Sequence, residues 1–312
     1  MMSQGVAIVF PGQGSQSIGM LEHYFSKEKK FNYVFDQSKE VLGIDFKDLV
    51  LNGTPEDLSP TEITQPLMLT ANNAIWECLE VQPEEVVVMA GHSLGEFSAL
   101  VAAKSLTFEN ALTLVSSRAK FMQEAVPEGE GAIAAIIGLT YKDLNSICKS
   151  ISNEGLLVEL ANINSTNQIV VSGTKEAIDI AIQRTTAAGA KRAVLLPMSV
   201  PAHCTLMKPA SEKFKIVLNS INLEEPKCNV IQNVDASITK NVLKISENLI
   251  SQIYSPVRWT DIMDSFNELK LGRCIECGPG KVLSGLMKRA LKDKQIISLD
   301  SYESFLDKEN LI

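Results

Sequence analysis

The chain has 312 residues, 45% of them hydrophobic and 21% charged, a balance that buries a large core as one big domain or two unequal ones and excludes disorder. A formal charge of −8 leaves no general basic face to neutralise phosphates, which argues against nucleic-acid binding. No apolar run reaches 18 residues and the first residues lack the basic, apolar, small-residue order of a secretory signal, so a cytoplasmic location without a membrane partner is expected.

In chain order, the apolar run 6–10 reads as a buried strand that breaks at Pro11-Gly12. Helical patterns follow near 31–43 and 65–80, and a second apolar strand over 86–90 ends abruptly in Gly91-His92-Ser93-Leu94-Gly95 before a helix over 94–103. Thr107 is placed to cap a helix over 108–126, which Pro127-Glu128-Gly129 closes. The pattern then changes. A strand over 132–137, a helix over 141–152 opened by Thr140-x-x-Asp143, strands over 157–161 and 168–172, a helix over 175–188 and a strand over 192–196 spell βαββαβ, the ferredoxin-like order.

Beyond Pro201, helices near 205–219, 245–253, 260–269 and 281–292 alternate with strands near 228–232, 273–277 and 295–299. Alternation on both sides of the insertion predicts a mainly parallel sheet covered by helices. The expected domains are a discontinuous α/β domain over 1–127 and 204–312, and an inserted small domain over 128–203.

The six cysteines, Cys78, Cys148, Cys204, Cys228, Cys274 and Cys277, are scattered and read as reduced thiols. Only Cys274 and Cys277 form a C-x-x-C. That pair ends an apolar strand where a redox pair would open a helix, and two further ligands at zinc spacing are missing, so it reads as packing and no metal is expected.

Chemistry concentrates at Gly91-His92-Ser93-Leu94-Gly95, a G-x-S-x-G turn between a buried strand and a helix, the setting of a nucleophile elbow. The departing helix offers free backbone N–H groups, Leu94's among them, to an oxyanion. Serine needs a base, and the histidines are His23, His92 and His203. His23 lies in an early polar helix and reads as surface. His92 adjoins the serine on a turn that splays neighbouring side chains apart, and reads as orienting the turn. His203 stands where the insertion hands back to the larger domain, a natural cleft, and is the expected base. Asp143 and Asp179 lie between serine and histidine in the chain but fall on helices of the insertion, so a Ser-His dyad with a backbone acceptor fits better than a triad.

Arg118 interrupts an apolar stripe of Leu114, Val115, Phe121 and Met122. A guanidinium there requires either a buried acidic partner or a substrate carboxylate held bidentately, and the residues alone leave both open. Gly12-x-Gly14 and Gly280-Lys281 do not complete a phosphate loop.

Phe10-Pro11-Gly12-Gln13-Gly14-Ser15-Gln16, Thr64-Gln65-Pro66, the elbow through Glu96, Arg118, Ala161-Asn162-x-Asn164-Ser165, Val200-Pro201-Ala202-His203, Asn233-Val234-Asp235, Tyr254-Ser255-Pro256-Val257-x-Trp259 and Gly278-Pro279-Gly280-Lys281-Val282-Leu283 occur in this order along nearly the whole chain. Together they resemble the malonyl-CoA:acyl carrier protein transacylases of bacterial fatty-acid synthesis. The resemblance implies an α/β-hydrolase-like large domain carrying the ferredoxin-like insertion. It implies Ser93 as acyl-carrying nucleophile, His203 as acid/base and Arg118 as clamp for the malonyl carboxylate. It further implies Gln13 and Leu94 as backbone oxyanion donors, Gln252 as the main-chain acceptor that orients His203, and Asn162 beside the cleft. Coenzyme A would enter as a thioester substrate with no resident cofactor, an acyl carrier protein would be the partner, and the chain would act as a monomer. Lys281, Lys288 and Lys292, at helical spacing with Arg289 and Lys294 nearby, form a candidate docking stripe for an acidic carrier, or a plain solvated face. A thioesterase or carboxylesterase, a polyketide-synthesis loader and a carrier-binding scaffold without chemistry remain the rivals.

Overall fold

The computed structural model describes residues 5–198 and 200–311; Ser199, inside the expected small domain, lies outside them. The strands are β1 (Gly5–Phe10), β2 (Val88–Gly91), β3 (Gly131–Ile137), β4 (Val158–Ser165), β5 (Gln168–Thr174), β6 (Arg192–Leu195), β7 (Asn229–Ile231), β8 (Leu271–Glu276) and β9 (Gln295–Ser298). They form two sheets. One has the order β7-β2-β1-β8-β9 and is parallel throughout; the other has the order β4-β5-β3-β6 and is antiparallel.

The unbroken apolar run of β1 places it at the centre of the parallel sheet, where both faces are covered. Val6, Ile8 and Phe10 point into one core layer with Leu67, Phe97, Leu112 and Phe214 of the covering helices. Ala7 and Val9 point into the other, with Trp259, Phe266 and Leu286. Alternate residues of one strand thus serve opposite layers, as the two-residue period requires.

In the small sheet the chain order βαββαβ and the spatial order second-third-first-fourth are those of a ferredoxin-like unit. Its helices, Tyr141–Ser152 and Lys175–Ala187, pack on one face through Leu144, Ile151 and Ile178. The opposite face carries Ile133, Ala161 and Val170. Strand β4 is stitched to the large domain by main-chain bonds, with Val257 N donating to Ala161 O and Ile163 N to Val257 O, each 2.9 Å. Pairing with β5, Ile163 opposite Ile169 and Ser165 opposite Gln168, carries β4 to Ser165, four residues past the expected end.

Other departures have local causes. The helix expected over 65–80 starts at Thr61, because Pro66 in its second turn forfeits one hydrogen bond without ending it. Short helices Phe46–Asn52 and Pro55–Leu58 were not expected, although Thr54 and Asp57 form a capping box at the second. The helix expected over 281–292 runs only from Val282 to Ala290, closed by Leu291 N donating to Met287 O. This corrects the proposed stripe: Lys281 is the N-cap, Lys288 lies in the last turn and Lys292 is off the helix, though all three are exposed.

Glycines let the two catalytic-side strand ends meet. A Cβ on Gly95 would stand 2.1 Å from Phe10 O, and one on Gly12 would stand 2.4 Å from His92 O, so the loop after β1 and the turn after β2 are in backbone contact. Gly95→Ala should destabilise the fold by at least about 2 kcal/mol, because backbone on both sides must move. A denaturant melt checks this; a variant as stable as the parent would show that the two loops are not locked.

Candidate active site

Strand β2 delivers Ser93 in a left-handed backbone conformation, φ 53°, which a residue with a Cβ adopts only when its surroundings impose it. Asn233, at the end of β7, imposes it here: Ser93 N donates to Asn233 Oδ1 (2.7 Å) while Asn233 Nδ2 donates to Gly91 O (2.7 Å). The helix Gly95–Ala102 then leaves, with Gly95 N bonded to His92 O at 2.9 Å.

His203 is also left-handed, φ 63°, and buried. Its Nε2 lies 2.7 Å from Ser93 Oγ and its Nδ1 2.7 Å from Gln252 O. A carbonyl only accepts, so Nδ1 carries the proton and Nε2 is the bare nitrogen that accepts from the serine hydroxyl. Burial, and after it the positive charge of Arg118, hold the imidazole pKa far below its ordinary value, at about 3, against the opposing pull of the Gln252 carbonyl. The ring is therefore neutral at physiological pH. No carboxylate contacts it among the described residues: the Asp143 carboxylate accepts from Thr140 Oγ1, the cap of its own helix, and Asp179 is exposed.

Arg118, on the helix Phe108–Glu124, is 1% exposed. Its Nη1 donates to Gln65 Oε1, and its Nη2 to Gln252 Oε1 (3.0 Å) and Ser93 Oγ (3.2 Å); the guanidinium lies over the Phe97 ring. Among the described residues its Nε has no partner and no carboxylate stands within ion-pairing distance. Of the two alternatives open in the sequence, a directly paired buried acid is thus not realised. Neutral carbonyl oxygens cradle the cation instead, beside the serine. Burial lowers its pKa to about 10, opposed by the charge of Glu96, so it remains a cation at neutral pH.

Glu96, in the first turn of the elbow helix, is 1% exposed and accepts from Gln252 Nε2 (2.7 Å) and from Asn233 N (3.3 Å). Gln252 Nε2 also donates to Ser93 O at 2.9 Å. Gln252 thus works through both its backbone carbonyl and its carboxamide. His92 is held from the small domain, its Nε2 2.9 Å from Asn164 Oδ1 and its ring against Trp259.

Ser93, His203, Arg118, Gln65, His92 and Asn164 line a cleft of about 420 Å³ between the two sheets, large enough for an extended thioester arm. Gln13 and Leu94 lie on its wall beside Ser93, and the backbone N–H of each lacks a hydrogen-bond partner among the described residues. Asn162 faces it from β4, and Val282 and Leu283 from the start of the Val282–Ala290 helix. His23 is exposed, and all six cysteines are free and buried. The described residues contain no group of three potential metal ligands.

Ser93, His203, Arg118, Gln13, Leu94 and Asn162 line this cleft and Gln252 stands behind His203 and Arg118, whereas the exposed lysines near Val282 stand outside it. Sequence reasoning gave no role to Gln65, Glu96, Asn164 and Asn233. Gln65 and Glu96 are polar residues on largely buried helices, the kind of signal that singled out Arg118, whereas Asn164 and Asn233 lie on no such stripe.

A model of the acyl transferase domain family matches residues 7–302. The malonyl CoA-acyl carrier protein transacylase of Haemophilus influenzae is 44% identical over 304 residues, 96% of each chain, and that of Bacillus subtilis 41% identical over 96% of this chain and 94% of its own. The solved malonyl CoA-acyl carrier protein transacylase of Coxiella burnetii superposes with a TM-score of 0.96 at 42% identity, covering 99% of this chain and 98% of that one. A malonyl-transacylase in complex with its type II polyketide acyl-carrier protein does so with 0.95 at 42%, covering 98% and 99%. This chain therefore belongs to the acyl transferase family and, within it, to the malonyl CoA-acyl carrier protein transacylases.

Proposed function

We propose that this chain transfers malonyl from coenzyme A to the pantetheine thiol of an acyl carrier protein through an ester on Ser93, supplying fatty-acid synthesis in the cytoplasm as a monomer with no resident cofactor or metal. The observation that carries this reading is that one hydroxyl touches both a neutral imidazole and a buried, unpaired guanidinium.

Ser93 Oγ attacks the thioester carbonyl as its proton passes to His203 Nε2, and the oxyanion is met by the backbone N–H groups of Gln13 and Leu94. The C–S bond breaks and the leaving sulfur takes the proton from His203. A carrier thiol then gives its proton to His203 and attacks the ester, and the serine oxygen leaves and recovers the proton. Arg118 disfavours the imidazolium that both steps need, so a carboxylate seated against Arg118 makes His203 a stronger base. A malonyl group brings that carboxylate with it; an acetyl group does not. Asn162 lines the cleft near the acyl chain, and the exposed Lys281, Lys288 and Lys292 offer positive charge to an acidic carrier, the first at the start of the Val282–Ala290 helix and the other two at and beyond its end, rather than as one stripe.

Mixed with malonyl-CoA, the protein should gain one malonyl group in an intact-mass spectrum, discharged fast by carrier and slowly by water, and Ser93→Ala should gain none. Rapid discharge by water alone would make the chain a thioesterase. Arg118→Ala should slow malonyl loading by roughly 10²-fold, the value of about two charge-assisted hydrogen bonds, while acetyl loading improves; equal damage to both would remove the clamp. Reversing the charge of Lys281, Lys288 and Lys292 together should weaken carrier binding and its salt dependence while sparing malonyl-serine formation. Titration of carrier against both proteins checks this, and an unchanged affinity would remove the docking role.

A further inference from the structure

Gln252 reaches three neighbours with its carboxamide. Glu96 Oε2 at 2.7 Å and Ser93 O at 2.9 Å only accept, whereas Arg118 Nη2 at 3.0 Å only donates. One of the two amide orientations satisfies all three, with nitrogen toward Glu96 and oxygen toward Arg118. Glu96 is constrained in turn, since both groups against its carboxylate, Gln252 Nε2 and Asn233 N, are donors. A carboxylate accepts at both oxygens; a glutamine of the same length would set its own N–H against a donor. An ionised carboxylate this deeply buried carries a large desolvation cost, and no cation lies within ion-pairing distance of it among the described residues. What offsets the cost is the helix N-terminus on which it sits and the guanidinium one amide away.

We infer that Glu96 is a positioning residue for the carboxylate seat: by holding the Gln252 carboxamide in one orientation it keeps an oxygen against Arg118 and so aims the guanidinium at the acyl group bound to Ser93. This rests on the function proposed above and assigns a task to a side chain that touches neither substrate nor His203. Without the Glu96 charge only Ser93 O and Arg118 hold the carboxamide, so its oxygen is kept less firmly against the guanidinium and Arg118 is displaced more readily. A carboxylated acyl group then loses its seat, and an acetyl group does not need one.

The same constraint appears as a pH effect. Burial raises the Glu96 pKa to about 7, against the Gln252 hydrogen bond and the Arg118 charge. The charged groups facing it are Arg118 and Asp235, and His203 stays neutral far below this range. Above about pH 7 the carboxylate accepts from both donors. Below it, the neutral acid is a weaker acceptor from Gln252 Nε2 and Asn233 N, so the hold on the orientation loosens as pH falls.

The test is Glu96→Gln, alone and combined with Arg118→Ala, with kcat and KM for Ser93 acylation measured from malonyl-CoA and acetyl-CoA. Glu96→Gln should lower kcat/KM for malonyl by roughly tenfold or more, mainly through KM, and for acetyl by less than about threefold. In the Arg118→Ala background it should add less than about threefold to the loss of malonyl loading, because the group it positions is gone. In the unmodified protein kcat/KM for malonyl should fall as pH drops through about 7 while that for acetyl stays level, which decides the matter even if the variant does not fold. Equal loss of both acyl groups, additive effects in the double variant, or a malonyl-to-acetyl ratio independent of pH would reduce Glu96 to a brace of the turn and overturn the inference. Absence of any malonyl-serine in the unmodified protein would instead sink the proposed function.

Discussion

A guanidinium that cannot be discharged at neutral pH, set 1% exposed among Leu114, Val115 and Met122, governs the arrangement of everything around it. Such a charge requires several oxygens, and it draws them from three separate parts of the chain: Gln65 from the helix Thr61–Leu79, Gln252 from the end of Val242–Gln252, and Ser93 from the elbow. None of them is an anion. The acid nearest to it along these contacts, Glu96, stands one amide away and leaves the guanidinium itself open to a further negative group, and after burial it is this cation that depresses the pKa of His203.

Around that cation the two strained residues, Ser93 and His203, are held by amides. Asn233 locks the backbone at the serine and Gln252 fixes the tautomer of the histidine, while the carboxamide of Gln252 also ties the serine carbonyl to Glu96. Side-chain amides suit the task because each supplies a donor and an acceptor at a fixed spacing. The dyad therefore needs no third carboxylate at Nδ1. The acid that a triad would have placed against the histidine stands instead one amide removed, beside the serine.

Much of this was legible in the sequence. The continuous apolar run of β1, the strand-to-helix turn at Ser93 and the βαββαβ succession announce their structures because each depends on local pattern, and Arg118 stood out as a charge on an apolar stripe. What escaped was fixed by partners far away in the chain. The bridge from β4 to the large domain is made by Val257, more than ninety residues on, and the side chains of Gln65, Glu96, Asn164 and Asn233 gain meaning only from neighbours that the fold supplies. The bounds of the last long helix were misjudged for the opposite reason: spacing alone continued a helix that Leu291 ends, leaving Lys292 beyond it.

The six cysteines bear on how such a protein coexists with its own substrates. Thioesters exchange readily with thiolates, so an exposed, ionised cysteine would be acylated at random by every molecule of substrate that passed. Here each thiol is buried and each has its pKa raised by that burial, which keeps it protonated and out of reach. The only sulfur nucleophiles an acyl group meets on this surface are those that arrive from outside, and self-modification is avoided without forgoing cysteine as a core residue.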